Sequence, residues 1–357
     1  GVRIMAYTTI DDPSAHFQAV AYTGGGNSSS VTFGGNSDLQ PDFLWIKRRD
    51  SADNSKVFDT SRGVGSGNEP YLTTVSDEQE QSYNYLASMD SDGFTHNTTD
   101  SSTGASGNTY VAWGWKANGG TRTTNTESGN NPGGGYQANT TSGFSIVDYT
   151  GTGAEGTMAH GLGAKPDFII IKTRATGNWN VYHKSITADK YLLLSTTAAE
   201  TDTTSRFNDT EPTSTVFTIN TSADVNGDGT TYIAYAFRSI QGYSKFGTYT
   251  GNGNADGAFI YTGFKPAWVM TKQTNGTNNW HIHDNKRNLF NPVNTQLKAD
   301  ANNADDTPSG GENSRDFLSN GFKFRHADHN NQAHTYIYMA FAESPFVSSE
   351  GVPCTAR

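Results

Sequence analysis

Cysteine is almost missing from this chain of 357 residues: Cys354, close to the C-terminal end, is the single one. One thiol excludes a disulfide framework within the chain. Long hydrophobic runs are missing as well. No stretch approaches the roughly 20 apolar residues of a transmembrane helix, so membrane insertion is not expected. The opening residues, Gly1-Val2-Arg3-Ile4-Met5-Ala6-Tyr7, hold no apolar segment of the kind a secretory signal needs, and folding in a cytoplasm is the expectation. Met5 reads as a natural start, with Gly1 to Ile4 as an upstream remnant.

An excess of positive charge is also absent, the formal net charge being −10. Nucleic-acid binders carry a basic stripe. Here the one basic cluster, Lys47-Arg48-Arg49, reads as a solvated strand end, so neither nucleic acid nor an anionic membrane is an expected partner. Familiar catalytic signatures are missing too: G-x-S-x-G, H-E-x-x-H, the P-loop and C-x-x-C. Carboxylates are plentiful, but glycoside hydrolysis needs two of them flanking one bond, and sequence does not pair them. A non-enzymatic protein is the expectation. Apolar residues make up only 33%, a level compatible with disorder. Aromatics reach 12%, however, and they sit in periodic runs, which argues for a loop-rich all-β protein.

What is present is a repeat. Tyr22-Thr23-Gly24 returns as Tyr149-Thr150-Gly151 and as Tyr249-Thr250-Gly251. Each copy leads to a proline and an apolar run: Pro41 to Lys47, Pro166 to Lys172 and Pro266 to Lys272. Each ends on a Thr-Tyr run, at Tyr110, Tyr232 and Tyr336. The Tyr-to-Pro offsets are 19, 17 and 17 residues, and the Pro-to-Tyr offsets 69, 66 and 70. A phenylalanine (Phe94, Phe217, Phe322) precedes the last Tyr by 16, 15 and 14 residues. Four landmarks recurring in order mark units of roughly 100 residues, too long for a solenoid repeat and right for a small domain.

The expected organisation is an N-terminal arm (1–18), repeat 1 (19–117), a Gly/Asn/Thr-rich flexible linker (118–143), repeat 2 (144–240), repeat 3 (241–343) and a tail (344–357). Such a linker leaves the first repeat mobile relative to the others. Each repeat is expected to be an antiparallel β-sandwich, jelly-roll or lectin-like in character. The proline strands are apolar at successive positions, as in Phe43-Leu44-Trp45-Ile46, so both faces are expected to be buried. In the closing strands one face is large (Val111, Trp113, Trp115) and the other carries smaller residues at Ala112 and Gly114. A sheet layer, a neighbouring repeat or another subunit must cover the second face, and a homo-oligomer is expected.

Candidate sites are few. Trp179 and Trp280 align just after the proline strand, flanked by Asn and His, and suit stacking on a sugar; the alternative is a Trp that closes the sandwich edge. His281 and His283 alternate on a strand beside Asp284, a geometry that suits a divalent metal, or else a polar strand face. Asp224, Asn226 and Asp228 match the first half of a calcium loop, but its twelfth position is Tyr235 rather than Glu, so a tight turn competes with metal. No cofactor is expected beyond such a metal.

Met5-Ala6-Tyr7-Thr8-Thr9-Ile10-Asp11-Asp12-Pro13-Ser14, then Leu39 to Lys47, Ser91-Asp92-Gly93-Phe94 and Tyr110 to Trp113, resemble tailed-phage virion proteins common in marine phages. The ending Val352 to Arg357 is similar to theirs. The resemblance covers nearly the whole chain and implies a virion protein made in the host cytoplasm, tail-fibre-like or capsid-associated, with other virion proteins as partners. It carries over no catalytic or binding residue. Host-surface glycan adhesion fits such a role, and a particle-borne glycan-degrading hydrolase is the alternative.

Overall fold

The computed structural model describes residues 6–65 and 67–355; the start at Met5 and the residues before it lie outside that range. The first unit contributes β1 (Phe17–Thr23), β2 (Ser30–Val31), β3 (Phe43–Arg48), β4 (Lys56–Asp59), β5 (Glu69–Tyr71), β6 (Gln81–Tyr83), β7 (Leu86–Asp90), β8 (Gly93–His96) and β9 (Thr109–Trp115). Next come β10 (Thr123–Asn125) and β11 (Gly134–Asn139). The second unit has β12 (Phe144–Thr150), β13 (Gly156–Ala159), β14 (Phe168–Thr173), β15 (Trp179–His183), β16 (Lys190–Leu193), β17 (Thr201–Asp202), β18 (Val216–Ile219) and β19 (Thr231–Phe237). Two single-turn helices, α1 (Thr204–Phe207) and α2 (Ala223–Asn226), interrupt it. The third unit has β20 (Ser244–Thr250), β21 (Phe259–Tyr261), β22 (Phe264–Gln273), β23 (His281–Asp284), β24 (Leu297–Lys298), β25 (Arg315–Leu318), β26 (Gly321–Phe324) and β27 (Thr335–Pro345). The protein is all-β and antiparallel, and among the described residues no helix is long and apolar enough to cross a membrane.

Strand order repeats. The large sheets run β1-β9-β3-β4, β12-β19-β14-β15-β16 and β20-β27-β22-β23-β24. Register repeats with it: Tyr22 opposes Tyr110, Tyr149 opposes Tyr232 and Tyr249 opposes Tyr336. Each tyrosine pair is stacked, at 5.2, 4.9 and 5.0 Å between centroids. Their hydroxyls donate to carbonyls of the loop before the closing strand: Tyr22 to Thr103, Tyr149 to Val225 and Tyr249 to Asn330. The glycine of Tyr-Thr-Gly has a matching reason. A Cβ on Gly24, Gly151 or Gly251 would lie 2.1–2.4 Å from a carbonyl oxygen of that same loop. The recurring landmarks are therefore one device, a loop clamped over the end of the sheet.

Two kinds of core hold the units. Across one face of each large sheet packs a small sheet: β2-β8-β7, β13-β18 or β21-β26-β25. The cores so enclosed include Leu44, Ile46 and Phe94 in unit 1, Ile169, Ile171 and Phe217 in unit 2, and Val269 and Phe322 in unit 3. The other, larger-residue face of all three sheets meets in a single shared core. Aromatic contacts bridge every junction between units, with ring centroids 4.4 Å apart for Phe43 and Tyr235, 5.7 Å for Phe168 and Phe246, and 5.0 Å for Phe17 and Phe341. A large apolar side chain removed from water contributes about 1.5–3 kcal/mol. A unit cut free would expose that whole face, so these are not three independent sandwiches. The double-sided apolarity of the proline strands is satisfied inside one chain and does not by itself call for a second subunit.

Three expectations are corrected here. Residues 118–143 are not a flexible linker: β11 pairs with β12 over six residues, β10 pairs with β11, and Arg122 bonds Asp148 at 2.6 Å. Composition misled because two glycines in β11 serve close packing rather than freedom; a Cβ on Gly134 would sit 2.0 Å from the Asp148 carbonyl. The first unit is not mobile, since Phe17, Trp113 and Trp115 lie in the shared core. Lys47 is not a solvated strand end: it is 2% exposed, and its ammonium donates to the Ala301 carbonyl of unit 3 at 3.1 Å. The N-terminal arm is docked, with Ile10 in the shared core and the Tyr7 hydroxyl donating to the Gly263 carbonyl.

Candidate functional site

Trp179 and Trp280, expected as stacking platforms, are each 1% exposed. The Trp179 indole donates to the Thr73 carbonyl of unit 1 at 2.8 Å, and the Trp280 indole donates to the Leu193 carbonyl of unit 2 at 2.9 Å. By register the third member is Ser55. It bonds Thr74, whose hydroxyl donates to the Ala299 carbonyl of unit 3. Each unit thus hooks the next around the shared core. Both tryptophans are spent on the junctions and offer no face to a sugar.

Asp284 belongs to a second hook. It opposes Trp268 in register, as Asp59 opposes Phe43 and His183 opposes Phe168. Asp284 accepts from the Trp113 indole of unit 1 at 3.1 Å and from Arg287 at 2.7 Å. Asp59 accepts from the Tyr235 hydroxyl of unit 2 at 2.7 Å and from Arg62 at 2.6 Å. Both ion pairs have fully buried side chains. Burial alone would lower the Arg62 and Arg287 pKa values, but the adjacent carboxylates outweigh it and hold both guanidinium groups charged. The network continues outward: Arg62–Glu80–Arg174 joins units 1 and 2, and Arg287–Asp305–Arg49 joins units 3 and 1.

His281 and His283 are buried in unit 3 and do not form a metal site. His281 Nδ1 lies 2.7 Å from Gln296 Oε1, and Nε2 lies 3.2 Å from Asn278 Oδ1. Both nitrogens of His283 are buried, and among the described residues neither has a hydrogen-bond partner. Burial pushes both imidazoles well below their ordinary pKa, and the Arg315 cation adds to the effect. Substituting this pair by alanine would excavate the core rather than silence a surface ligand site. The equivalents of His283 by register are Phe58 and Tyr182. His283→Phe is therefore expected to stabilise the chain by about 1–3 kcal/mol, the cost of buried unsatisfied polar atoms, seen as a higher urea midpoint. A lower midpoint would mean that His283 has a partner the packing does not reveal.

Asp224, Asn226 and Asp228 do not converge. Asp224 accepts from Arg206 at 2.7 Å. Asn226 clamps the Tyr-Thr-Gly loop, accepting from the Thr152 amide and donating to the Ala154 carbonyl. Asn331 does the same in unit 3, donating to Asn254. Asp228 is exposed in the following turn. Among the described residues no group of three or more His, Cys, Asp or Glu side chains is placed to hold a metal ion.

The accessible chemistry lies elsewhere, between units 2 and 3. A recess of about 440 Å³ opens along β20, bounded by Lys184, Lys245, Phe259, Tyr261 and Tyr338. Phe259 and Tyr261 are 46% and 47% exposed. The Lys245 ammonium donates to the Tyr261 carbonyl at 2.8 Å and lies 5.1 Å from the centre of its ring. Burial lowers the Lys245 pKa, and the neighbouring Lys184 lowers it further. The recess combines aromatic surface with two cations, in a chain that is otherwise acidic.

The family described as a domain of unknown function, DUF7483, matches residues 12–345. The chain belongs to the DUF7483 family. No curated protein and no solved structure matches it. Within this DUF7483 chain, sequence reading passed over the recess, although a signal for it exists. The register pairs Val20 with Ala112 in unit 1 and Val147 with Ala234 in unit 2, but Gly247 with Tyr338 in unit 3. A Cβ on Gly247 would lie 2.7 Å from the Tyr338 hydroxyl, so the exchange of a large residue for a small one is a matched pair. It becomes visible only when the three closing strands are aligned with their partners.

Proposed function

We propose that this protein is a non-enzymatic structural module of a virus particle, tail-fibre-like or capsid-associated, in which three units act as one body. The observation that carries the reading is the use made of its buried polar side chains. Asp59, Asp284, Trp179 and Trp280, the groups best suited by type to chemistry or ligand contact, bond across unit junctions. The motifs resembling tailed-phage virion proteins supply the particle; the junction hooks supply the mechanical sense. A purely structural role is preferred to glycan adhesion, because the Trp–His run offered for a sugar is buried. Host contact, where it occurs, belongs to the loops, which vary while the strands repeat.

Immunogold labelling of intact particles, with antibody raised against the purified chain, tests the reading. Label at regular positions on tails or heads is expected. Particles that remain unlabelled, while the chain accumulates free in the infected cell, would remove the virion role.

A further inference from the structure

The edges of the three large sheets are treated differently. In unit 2 the edge strand β12 is covered by β11, with Tyr136 opposite Val147 and Ala138 opposite Ser145. The Tyr136 ring packs on the core of unit 2, close enough to Gly161 that a Cβ there would lie 2.1 Å away. In unit 1 the loop after β2 folds across the start of β1, where the Gln18 amide donates to the Ser14 and Ser37 carbonyls. In unit 3, β20 pairs with β27 on one side, and among the described residues its other side carries only an isolated bridge from Ile240 to Ser244, the first residue of the strand.

That free side is the one facing the recess. Lys245, Phe246, Gly247, Thr248 and Tyr249, five consecutive residues, all border it. Side chains of consecutive strand residues point to opposite faces, so what they share is the main-chain edge. The Phe246 amide turns outward, where it donates to the Ser239 hydroxyl at 3.2 Å. Alternate amides of an antiparallel strand point the same way, so those of Thr248 and Thr250 face outward too. The equivalent of Thr250 in unit 2 is Thr150, whose amide donates to the Gly133 carbonyl at 3.0 Å just before β11 begins. An exposed edge of this kind is a template for another strand.

We propose that the free edge of β20 accepts an extended polypeptide strand of a partner chain, carrying an aromatic residue opposite Gly247 and a carboxylate opposite Lys245. The main-chain ladder copies the one between β11 and β12. The aromatic residue takes the part of Tyr136, beside the exposed rings of Phe259 and Tyr261 and above a position where glycine replaces valine. The carboxylate follows from charge: Lys245 forms no ion pair among the described residues, and Lys184, whose only such pair is with Asp167 at 3.2 Å, lies beside the same recess. This inference does not depend on where the protein sits in a particle.

The test uses the full chain and a labelled synthetic peptide with the sequence of β11, its Ala138 position changed to Glu. Fluorescence anisotropy should show saturable binding, and hydrogen exchange should show new protection at the Thr248 and Thr250 amides. Thr248→Pro removes an outward amide at an edge, where proline is tolerated, and should weaken binding at least about tenfold. Lys245→Glu, a surface change that keeps the strand, should weaken it similarly and serves if the proline variant melts early. A peptide with proline at the Gly135 position should not bind. Absence of saturable binding, or binding unaltered in both variants, would overturn the proposal. So would an acidic oligosaccharide that displaces the peptide and protects no β20 amide, because the recess would then be a saccharide site.

Discussion

Asp284→Ala is expected to destabilise the chain by about 3–5 kcal/mol, because it strands a buried guanidinium and removes the acceptor of the Trp113 indole. Asp59→Ala should cost a similar amount through Arg62 and Tyr235. The magnitude comes from breaking half of a buried pair; the pair itself is weak evidence of net stability. Unit 2 demonstrates the difference. There His183 and Ile186 occupy the positions of Asp284 and Arg287, and the strand folds in the same register. The double variant Asp284→His/Arg287→Ile should therefore recover at least half of the loss seen in Asp284→Ala. Urea unfolding followed by tryptophan fluorescence measures both. An Asp284→Ala chain within about 1 kcal/mol of the parent would mean that the junction hooks are ornamental.

Mild acid is expected to have an effect of the same order. His96, His160, His183, His281 and His283 are all buried. Desolvation pushes His96 and His160 down to about 4 and His183 to about 3, and it holds His281 and His283 well below the ordinary value. In the unfolded chain each titrates near 6.5. Between the folded and unfolded values the unfolded state binds more protons, so their contribution is complete above about pH 6.5 and is lost as pH falls below it. At pH 5.5 each histidine costs about 1.4 kcal/mol, and the five together about 7 kcal/mol. That is comparable to the whole stability of many folded domains. Asp42 and Asp300, whose pKa values burial raises, bind protons more readily when folded and soften the loss at lower pH. Urea midpoints should be flat above about pH 7 and fall steeply below 6.5, with a shallower fall in His283→Phe. Equal midpoints at pH 7 and 5 would show that these imidazoles charge without unfolding the chain.

The relation between this sequence and its structure is local on one side and non-local on the other. Alternation along Phe43-Leu44-Trp45-Ile46 and along Val111, Trp113 and Trp115 states which residues share a face, because side-chain direction in a strand has period two. The recurring Tyr-Thr-Gly and Thr-Tyr landmarks mark strand ends, because a stacked tyrosine pair and a glycine without Cβ clamp the same loop each time. All-β character, the repeated strands and burial on both faces were therefore set by the sequence itself. Periodicity says which way a side chain points and nothing about what lies opposite. That the large faces of three sheets meet in one core, that Trp179 and Trp280 reach carbonyls of other units, and that Asp59 and Asp284 hold a tyrosine and a tryptophan from a neighbour are contacts between residues 87 to 176 positions apart. The fate of 118–143 was decided the same way. Its glycines and asparagines satisfy flexible coil and close-packed strand equally well, and only the presence of a free edge on β12 selected the strand.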